Sequence, residues 1–440
     1  DTSVNKAHME AAPRYYNDTL MYYSSLRTDK IEYYNIREEK QKPKTRKLYW
    51  AKKNFEDWVF YKPFEGPFNS DEHHIANGTF SIDSTKFYCT ICKTNEDYKT
   101  VCQIYVSKKG ENGQWSNPEK IEAGGVNIPG YNSTQPTVGT EPKKGYEVLY
   151  FASNREGGKG GYDIYYTIYD ERKETYKKAK SVGSKINTPG DEITPYYDNN
   201  NKTLYFSSNA WPGLGGFDIF KTTGQVNRFL KPVNIGYPLN SSYDDVYYTI
   251  SNSPEKGFLV SNRPGGVALK NETCCDDIYE FTMLEFIKIV VEGTVFESKD
   301  SSDIKLTSGF ETAAKDSLAI SSDTLARADT TNGAVREIRE NDTPLKGTTV
   351  SLLLVDPETG ENMFLTKTTT NDNGQYFFEL QQGNNYKIRF QKEGYYDKEL
   401  TVSTEDIMQS DTIHMNTLYL KGVPKTPIII KNIYYPFDKA

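Results

Sequence analysis

Three carboxylates, Asp163, Asp218 and Asp277, recur at one position of a repeated stretch and are the first residues to ask for chemistry. Acid–base catalysis by carboxylates needs two groups in different environments. Copies at one repeat position share an environment, so these three read as short acceptors for turn amides. The four histidines, His8, His73, His74 and His414, and the five cysteines lack the tight spacing of a tetrahedral zinc site. Cys92 and Cys102 lie on the two arms of one hairpin, and either a disulfide or a pair of free buried thiols suits them. Cys274 and Cys275 are adjacent in a loop, and Cys89 falls on an inward-facing position. There is no G-x-S-x-G elbow, H-E-x-x-H pair, phosphate-binding loop or Cys–His pairing with an orienting partner. On these grounds the expectation is a non-catalytic chain without cofactor or metal.

The elements that position these residues are hairpins. Glu147 to Tyr166 holds an alternating strand, a glycine-rich turn (Ser153 to Gly161) and a second alternating strand. Thr203–Asn209 with Gly215–Phe220 repeats it, as does Gly257–Arg263 with Cys275–Tyr279; Leu20–Arg27 and Lys86–Thr90 open two degenerate copies. The equivalent residues Tyr23, Cys89, Phe151, Phe206 and Leu259 are 66, 62, 55 and 53 residues apart. Between hairpins come the turns Phe68–Glu72, Val126–Gly130, Ile186–Ile193 and Pro238–Asp245, each leading into a short strand. A repeat of about four strands is a β-propeller blade. The chain is therefore expected to be all-β: a propeller of five blades, or six with one borrowed, over residues 1–285. Residues 1–13 either close the ring or join it to something upstream.

Composition agrees. Thirty-four tyrosines and 21 phenylalanines, with a mean hydropathy of −0.71, describe many short two-faced strands. No apolar run is long enough for a membrane-spanning helix. The net charge of −7 with interspersed signs argues against a nucleic-acid partner. The basic run Lys40 to Lys47 reads as a solvated hairpin tip.

After Tyr279 the pattern changes. A continuous strand, Phe286 to Phe296, precedes residues 297–341, which are too polar to offset their chain entropy and are expected to be disordered. Alternating strands resume at Pro344 and run to Val402 with turns at Asp356–Gly360 and Asn371–Gly374, suggesting a β-sandwich over 286–421. Asn371-Asp-Asn-Gly374 reads as a hairpin turn rather than a calcium loop. Residues 422–440 hold a stiff linker and one strand.

Several of these motifs carry resemblances. The Phe-x-Ser-Asn-Arg hairpins with Gly-Gly-(Tyr/Phe)-Asp-Ile resemble the WD40-like PD40 repeat, also found in the TolB propeller. Val291–Val295, Pro344–Val350, Thr370–Phe377 and Tyr386–Tyr395 resemble the carboxypeptidase regulatory-like domain, a prealbumin-type sandwich. Asn432-Ile-Tyr-Tyr-Pro-Phe-Asp438 resembles the opening strand of an OmpA C-terminal-like domain. In this order the three resemble the PorE-like OmpA-family proteins of Bacteroidetes. That resemblance implies a non-catalytic periplasmic adaptor, associated with the outer membrane, that links type IX secretion or gliding machinery to peptidoglycan through a further C-terminal domain. Its implied partner is an outer-membrane barrel protein of PorP type. Within the same resemblance Ser317, Thr324 and Thr330 match the Asp-(Ser/Thr)-(apolar/Thr) acceptor of Bacteroidetes O-glycosylation, although the low-complexity composition accounts for them equally well.

For a protein partner, the aromatic anchors in inter-blade loops are Tyr196, Tyr197, Trp211 and Tyr243; Trp211 serves equally as packing. The competing reading is a carbohydrate-binding or carbohydrate-active propeller, since carboxylates gathered at a propeller mouth leave no local motif.

Overall fold

The computed structural model describes residues 3–6, 8–27, 45–94, 99–142, 144–267, 275–298 and 342–423. They form two compact units, Asp1–Phe286 and Ile287–Ala440. Among the described residues the first unit holds five antiparallel sheets, each a blade whose strands follow chain order. Blade 1 is β1 (Glu10–Asn17), β2 (Leu20–Ser25), β3 (Lys47–Asn54) and β4 (Asp57–Pro63). Blade 2 is β5 (His74–Phe80), β6 (Lys86–Thr94), β7 (Thr100–Lys108) and β8 (Glu119–Lys120). Blade 3 is β9 (Ser133–Thr140), β10 (Glu147–Ser153) and β11 (Asp163–Asp170), edged by β12 (Thr175–Tyr176) and β13 (Lys180–Ser181). Blade 4 is β14 (Glu192–Asp198), β15 (Thr203–Ser208) and β16 (Asp218–Gln225), edged by β17 (Arg228–Phe229) and β18 (Val233–Asn234). Blade 5 is β19 (Asp245–Ile250), β20 (Lys256–Ser261) and β21 (Asp277–Thr282). The apolar positions of each blade pack on the next. Tyr150 and Ile164 of blade 3 meet Leu204 and Phe206 of blade 4, and Met21 and Trp58 of blade 1 meet Phe258 and Ile278 of blade 5.

One asparagine per seam clips each blade to the turn that follows it. Asn69, Asn127, Asn187 and Asn240 each accept from the backbone N–H, and donate to the carbonyl, of Leu48, Ile104, Ile164 and Ile219 respectively. A side-chain amide here completes a strand edge that would otherwise bury unpaired backbone groups. The fifth clip closes the ring: Asn5 makes the same pair of bonds, both 3.0 Å, with Ile278 of β21. The N-terminal segment thus supplies the missing outer edge of blade 5, and five blades suffice.

The repeated motif is explained by the same seams. A Cβ on Gly160 would lie 1.8 Å from the Gly190 carbonyl, and one on Gly215 would lie 2.0 Å from that of Tyr243, so only glycine lets the neighbouring turn approach. Asp163, Asp218 and Asp277 each accept turn amides, for Asp218 those of Leu214 and Gly215 at 2.8 and 3.0 Å. Arg155 is spent on the carbonyls of Gly125 and Val126 and on Ser133 and Ser153.

The second unit holds two four-stranded sheets among the described residues. In one, β22 (Ile289–Ser298) pairs with β25 (Gln375–Leu380), β28 (Asp411–His414) and β29 (Leu418–Lys421). The other runs β24 (Asn362–Thr369), β23 (Thr349–Val355), β26 (Asn385–Gln391), β27 (Lys398–Ser403). Tyr376 of the first sheet meets Phe390 of the second with ring centroids 5.2 Å apart, and Val291, Val350, Leu354 and Ile388 are fully buried between them. Asn371–Gly374 is a turn, with the Asn371 side chain accepting from the amides of Asn373 and Gln375 and Gly374 at φ 74°. Glu297 and Ser298, expected to be disordered, end strand β22; the rest of that expected segment, 299–341 with Ser317, Thr324 and Thr330, the basic run from Lys40 to Lys44 and the strand expected near the end at 428–440 lie outside the described residues. Among the described residues no helix is long and apolar enough to cross a membrane.

Candidate functional site

The seam between blades 5 and 1 holds a cavity of about 160 Å³, room for about five waters at the volume each occupies in the liquid. Val4, Met21, Phe258 and Ile278 make its apolar walls, and Glu56, Asp57 and Glu280 supply carboxylates. Trp58, at the start of β4, also lines it. Its alternation as an inward residue of an outer strand puts the indole among Tyr15 (centroids 5.8 Å apart) and Phe258 (5.4 Å). Trp58 is only 6% exposed, yet its Nε1–H has no acceptor. Such a buried unmet donor costs about 1–3 kcal/mol, and native proteins rarely leave one without water or a ligand.

The electrostatics of the cavity are acidic and tethered. Lys53 donates to Glu280 at 2.9 Å and sits 5.5 Å from the Trp58 ring centroid, holding one carboxylate in place over the aromatic group. Burial first, and the neighbouring Glu280 next, push the Tyr15 phenol up, so it stays a protonated donor. Phe55, 94% exposed in the β3–β4 turn at φ 55°, stands next to Glu56 at the rim. The cavity therefore has an apolar aromatic wall, a lining residue whose buried N–H lacks an acceptor, and carboxylates seeking donors. A ligand carrying C–H faces and hydroxyls that both donate and accept meets all three. An organic ammonium would meet the carboxylates and leave the indole N–H unpaired.

The residues singled out from sequence fall elsewhere. Trp211 is partly buried, donates to the Ile186 carbonyl at 3.2 Å and packs near Phe220, so it covers blade 4. Tyr197 is buried, stacked on Tyr150 and bonded through its hydroxyl to the Gly224 carbonyl. Tyr243 belongs to the turn that presses on Gly215, its amide donating to Ser241. Tyr196 lies on inner strand β14 under the Arg14 guanidinium, 4.7 Å from the ring centroid. They do not converge on one face. Cys92 and Cys102 are joined by a disulfide across β6 and β7, and the buried Cys89 thiol is pushed up to about 12 by burial. Among the described residues no group of three His, Cys, Asp or Glu side chains is placed to hold a metal. Trp58 was legible only as a strand residue, because nothing local marks which strand ends face the closing seam.

No protein family and no curated protein matches the chain. Solved structures do align. A thermostable family-43 glycoside hydrolase aligns at 13% identity and TM-score 0.38, covering 62% of this chain and 89% of its own. A family-43 endo-arabinanase from Bacillus licheniformis aligns at 13% and 0.39, covering 62% and 94%. A xylan β-1,4-xylosidase from Bacillus halodurans aligns at 12% and 0.39, covering 96% and 95%.

These neighbours overturn the assignment to the OmpA family, the adaptor function drawn from it, and the exclusion of an enzyme. The physical reason is visible in the seams. The residues that carried the resemblance, Arg155, Asp163, Asp218 and the paired glycines, are occupied in holding blades together, so they report blade geometry and no partner. The exclusion of an enzyme tested only motifs contiguous in sequence, and a propeller can draw its carboxylates from separate blades. At TM-scores below 0.5 the likeness itself brings neither substrate nor activity to this chain.

Proposed function

We propose that the propeller binds carbohydrate in the cavity between blades 5 and 1. The observation that carries this reading is the unmet Trp58 N–H in an aromatic-walled cavity rimmed by Glu56, Asp57 and Glu280. A pyranose or furanose ring has the C–H face to lie against Phe258 and Trp58. Its hydroxyl oxygens accept from the indole, and its O–H groups donate to the carboxylates. The volume suits one sugar unit, with adjoining units extending past Phe55 into solvent.

The test is calorimetric titration of the full chain with arabino-, xylo- and gluco-oligosaccharides, with new reducing ends followed in parallel to decide whether bound sugar is cleaved. Trp58→Phe keeps an aromatic ring and removes the donor. One neutral hydrogen bond is worth about 0.5–1.5 kcal/mol, so affinity should fall roughly three- to tenfold, while Trp211→Phe leaves it unchanged. Failure of every sugar to bind, or equal binding by Trp58→Phe, contradicts the reading.

A further inference from the structure

The propeller axis carries a second, chemically opposite arrangement, independent of the cavity at the closing seam. Each inner strand is interrupted by a bulge near the axis, seen as register shifts at Ala11/Arg14, Ile75/Asn77, Tyr150/Ala152 (opposite β9), Ile193/Tyr196 and Val246/Thr249. In four blades the bulged residue takes positive φ: Ala12 at 53°, Gln135 at 57°, Thr194 at 51° and Tyr247 at 54°. Non-glycine residues adopt this region at a cost and mostly where surrounding structure holds them there. Bulges re-aim side chains, and here they tie three blades together: Gln135 donates to the Tyr247 hydroxyl at 3.2 Å and accepts from the Thr194 amide at 2.9 Å.

Against this belt lies Arg14 of β1. Its guanidinium stacks over Tyr196 of blade 4 at 4.7 Å, and the other groups acting on its charge are Tyr22 of blade 1 and Tyr247 of blade 5. Among the described residues no carboxylate pairs with it and no hydrogen bond is made by its five N–H donors. Arg155 and Arg263 show the contrast, each spent on carbonyls, hydroxyls or, for Arg263, the Asp245 carboxylate at 2.5 Å. A second unmet donor lies close by. Asn77 of blade 2 is 4% exposed, and its Nδ2 has no acceptor. Its Oδ1 accepts from Thr90, whose hydroxyl oxygen in turn accepts the Gln135 amide. Thus all five blades send a residue to this place, and it holds a cation and spare donors without a matching acceptor.

We propose that the propeller axis is a binding site for an oxyanion, a carboxylate or phosphate group, gripped by the Arg14 fork and fenced by Tyr22, Tyr196 and Tyr247. A planar guanidinium matches both groups through paired N–H donors. The tyrosine walls admit a ligand with an apolar or sugar-like body behind the anionic group. Neutral sugars do not satisfy Arg14, and this separates the axis from the closing-seam cavity.

The experiment titrates the full chain at constant ionic strength with inorganic phosphate and with D-glucuronate, on wild type, Arg14→Gln, Arg14→Lys and Trp211→Phe. At least one of the two anions should bind wild type, at least tenfold more weakly in Arg14→Gln, with part of the affinity kept in Arg14→Lys and all of it in Trp211→Phe. Phosphate and glucuronate separate the two sources of the anionic group. Binding of neither anion by wild type, or equal affinity in Arg14→Gln, overturns the proposal. If Arg14→Gln does not fold, as judged by its far-ultraviolet spectrum, the tyrosine ultraviolet difference spectrum of wild type decides. It should change with the same midpoint as the calorimetry, and its constancy overturns the proposal.

Discussion

The seam between blades 4 and 5 and the seam between blades 5 and 1 are built from one repeat, and they differ where it matters. In the first, Asn240 clips Ile219, and Asp244 accepts from the Phe217 amide while its own amide donates to Asn262. Asp191 and Asn209 repeat that relay between blades 3 and 4. In the closing seam the clip is present as Asn5 on Ile278, but the relay positions hold Met9 and Leu26. There the Glu10 amide still donates to the Asp276 carbonyl, as the Glu192 and Asp245 amides donate to Tyr162 and Phe217 in the other two seams. The cavity and the unmet Trp58 donor lie in this seam. Among the described residues the relay joins blades 2 to 3, 3 to 4 and 4 to 5 and is missing from both seams that touch blade 1, of which the closing one also holds the cavity.

The largest expected effect concerns Glu10, which sits fully buried in the closing seam, accepting from the Lys6 amide and the Ser25 hydroxyl. Burial, with a smaller push from Asp277, raises its pKa to about 8. Between the ordinary carboxylate value and about 8 the folded protein holds a proton that the unfolded chain has released, so stability is full at acid pH and falls as pH rises through that window. At about 1.4 kcal/mol per unit the loss is at most roughly 5 kcal/mol. Thermal melts from pH 5 to pH 9 should show Tm falling, and Glu10→Gln should flatten the profile. A flat wild-type profile would break the account of this seam.

Next come the clips. Asn240→Ala leaves the fully buried Ile219 N–H unpaired, while its carbonyl keeps the Ile235 amide, so at about 1–3 kcal/mol for the lost partner denaturant melts should show a loss of about 2 kcal/mol. Asn5 is 9% exposed where Asn240 is wholly buried, and water reaching the freed groups should halve the cost of Asn5→Ala. Equal losses would mean that the two seams are equally closed.

The relay gives the smallest and most pointed test. Asp244→Ala should cost about 1 kcal/mol, one net hydrogen bond. Installing the relay in the closing seam by Met9→Asp with Leu26→Asn should return about as much in Tm-derived stability. A destabilised double variant would show that the seam is shaped for something other than closure.

Much of the propeller was legible because a blade is a local object. The hairpin around Phe151, with its alternating strands and Gly160 and Asp163 in fixed places, is complete within 20 residues. The sandwich was legible for the same reason, through the Asn371–Gly374 turn and the alternation of β25. The sites were not. Trp58 meets Phe258 and Ile278 only when the ring closes, and Arg14 meets Tyr196 and Tyr247 only across the axis, so no local pattern announces either. Of the aromatic residues chosen as loop anchors, Tyr197 stacks on Tyr150 of the preceding blade, a contact that its own run of sequence does not show. The missed signal was the asparagine before each turn, recurring from Asn69 to Asn240 and present once more at Asn5.

The most direct test is backbone hydrogen exchange of the full chain with and without the oligosaccharide that binds best. The account predicts protection centred on residues 4–5, 56–58 and 278–280, with the equivalent segments of the blade 4–5 seam unchanged. Protection confined to that other seam, or none at saturating sugar, would contradict it.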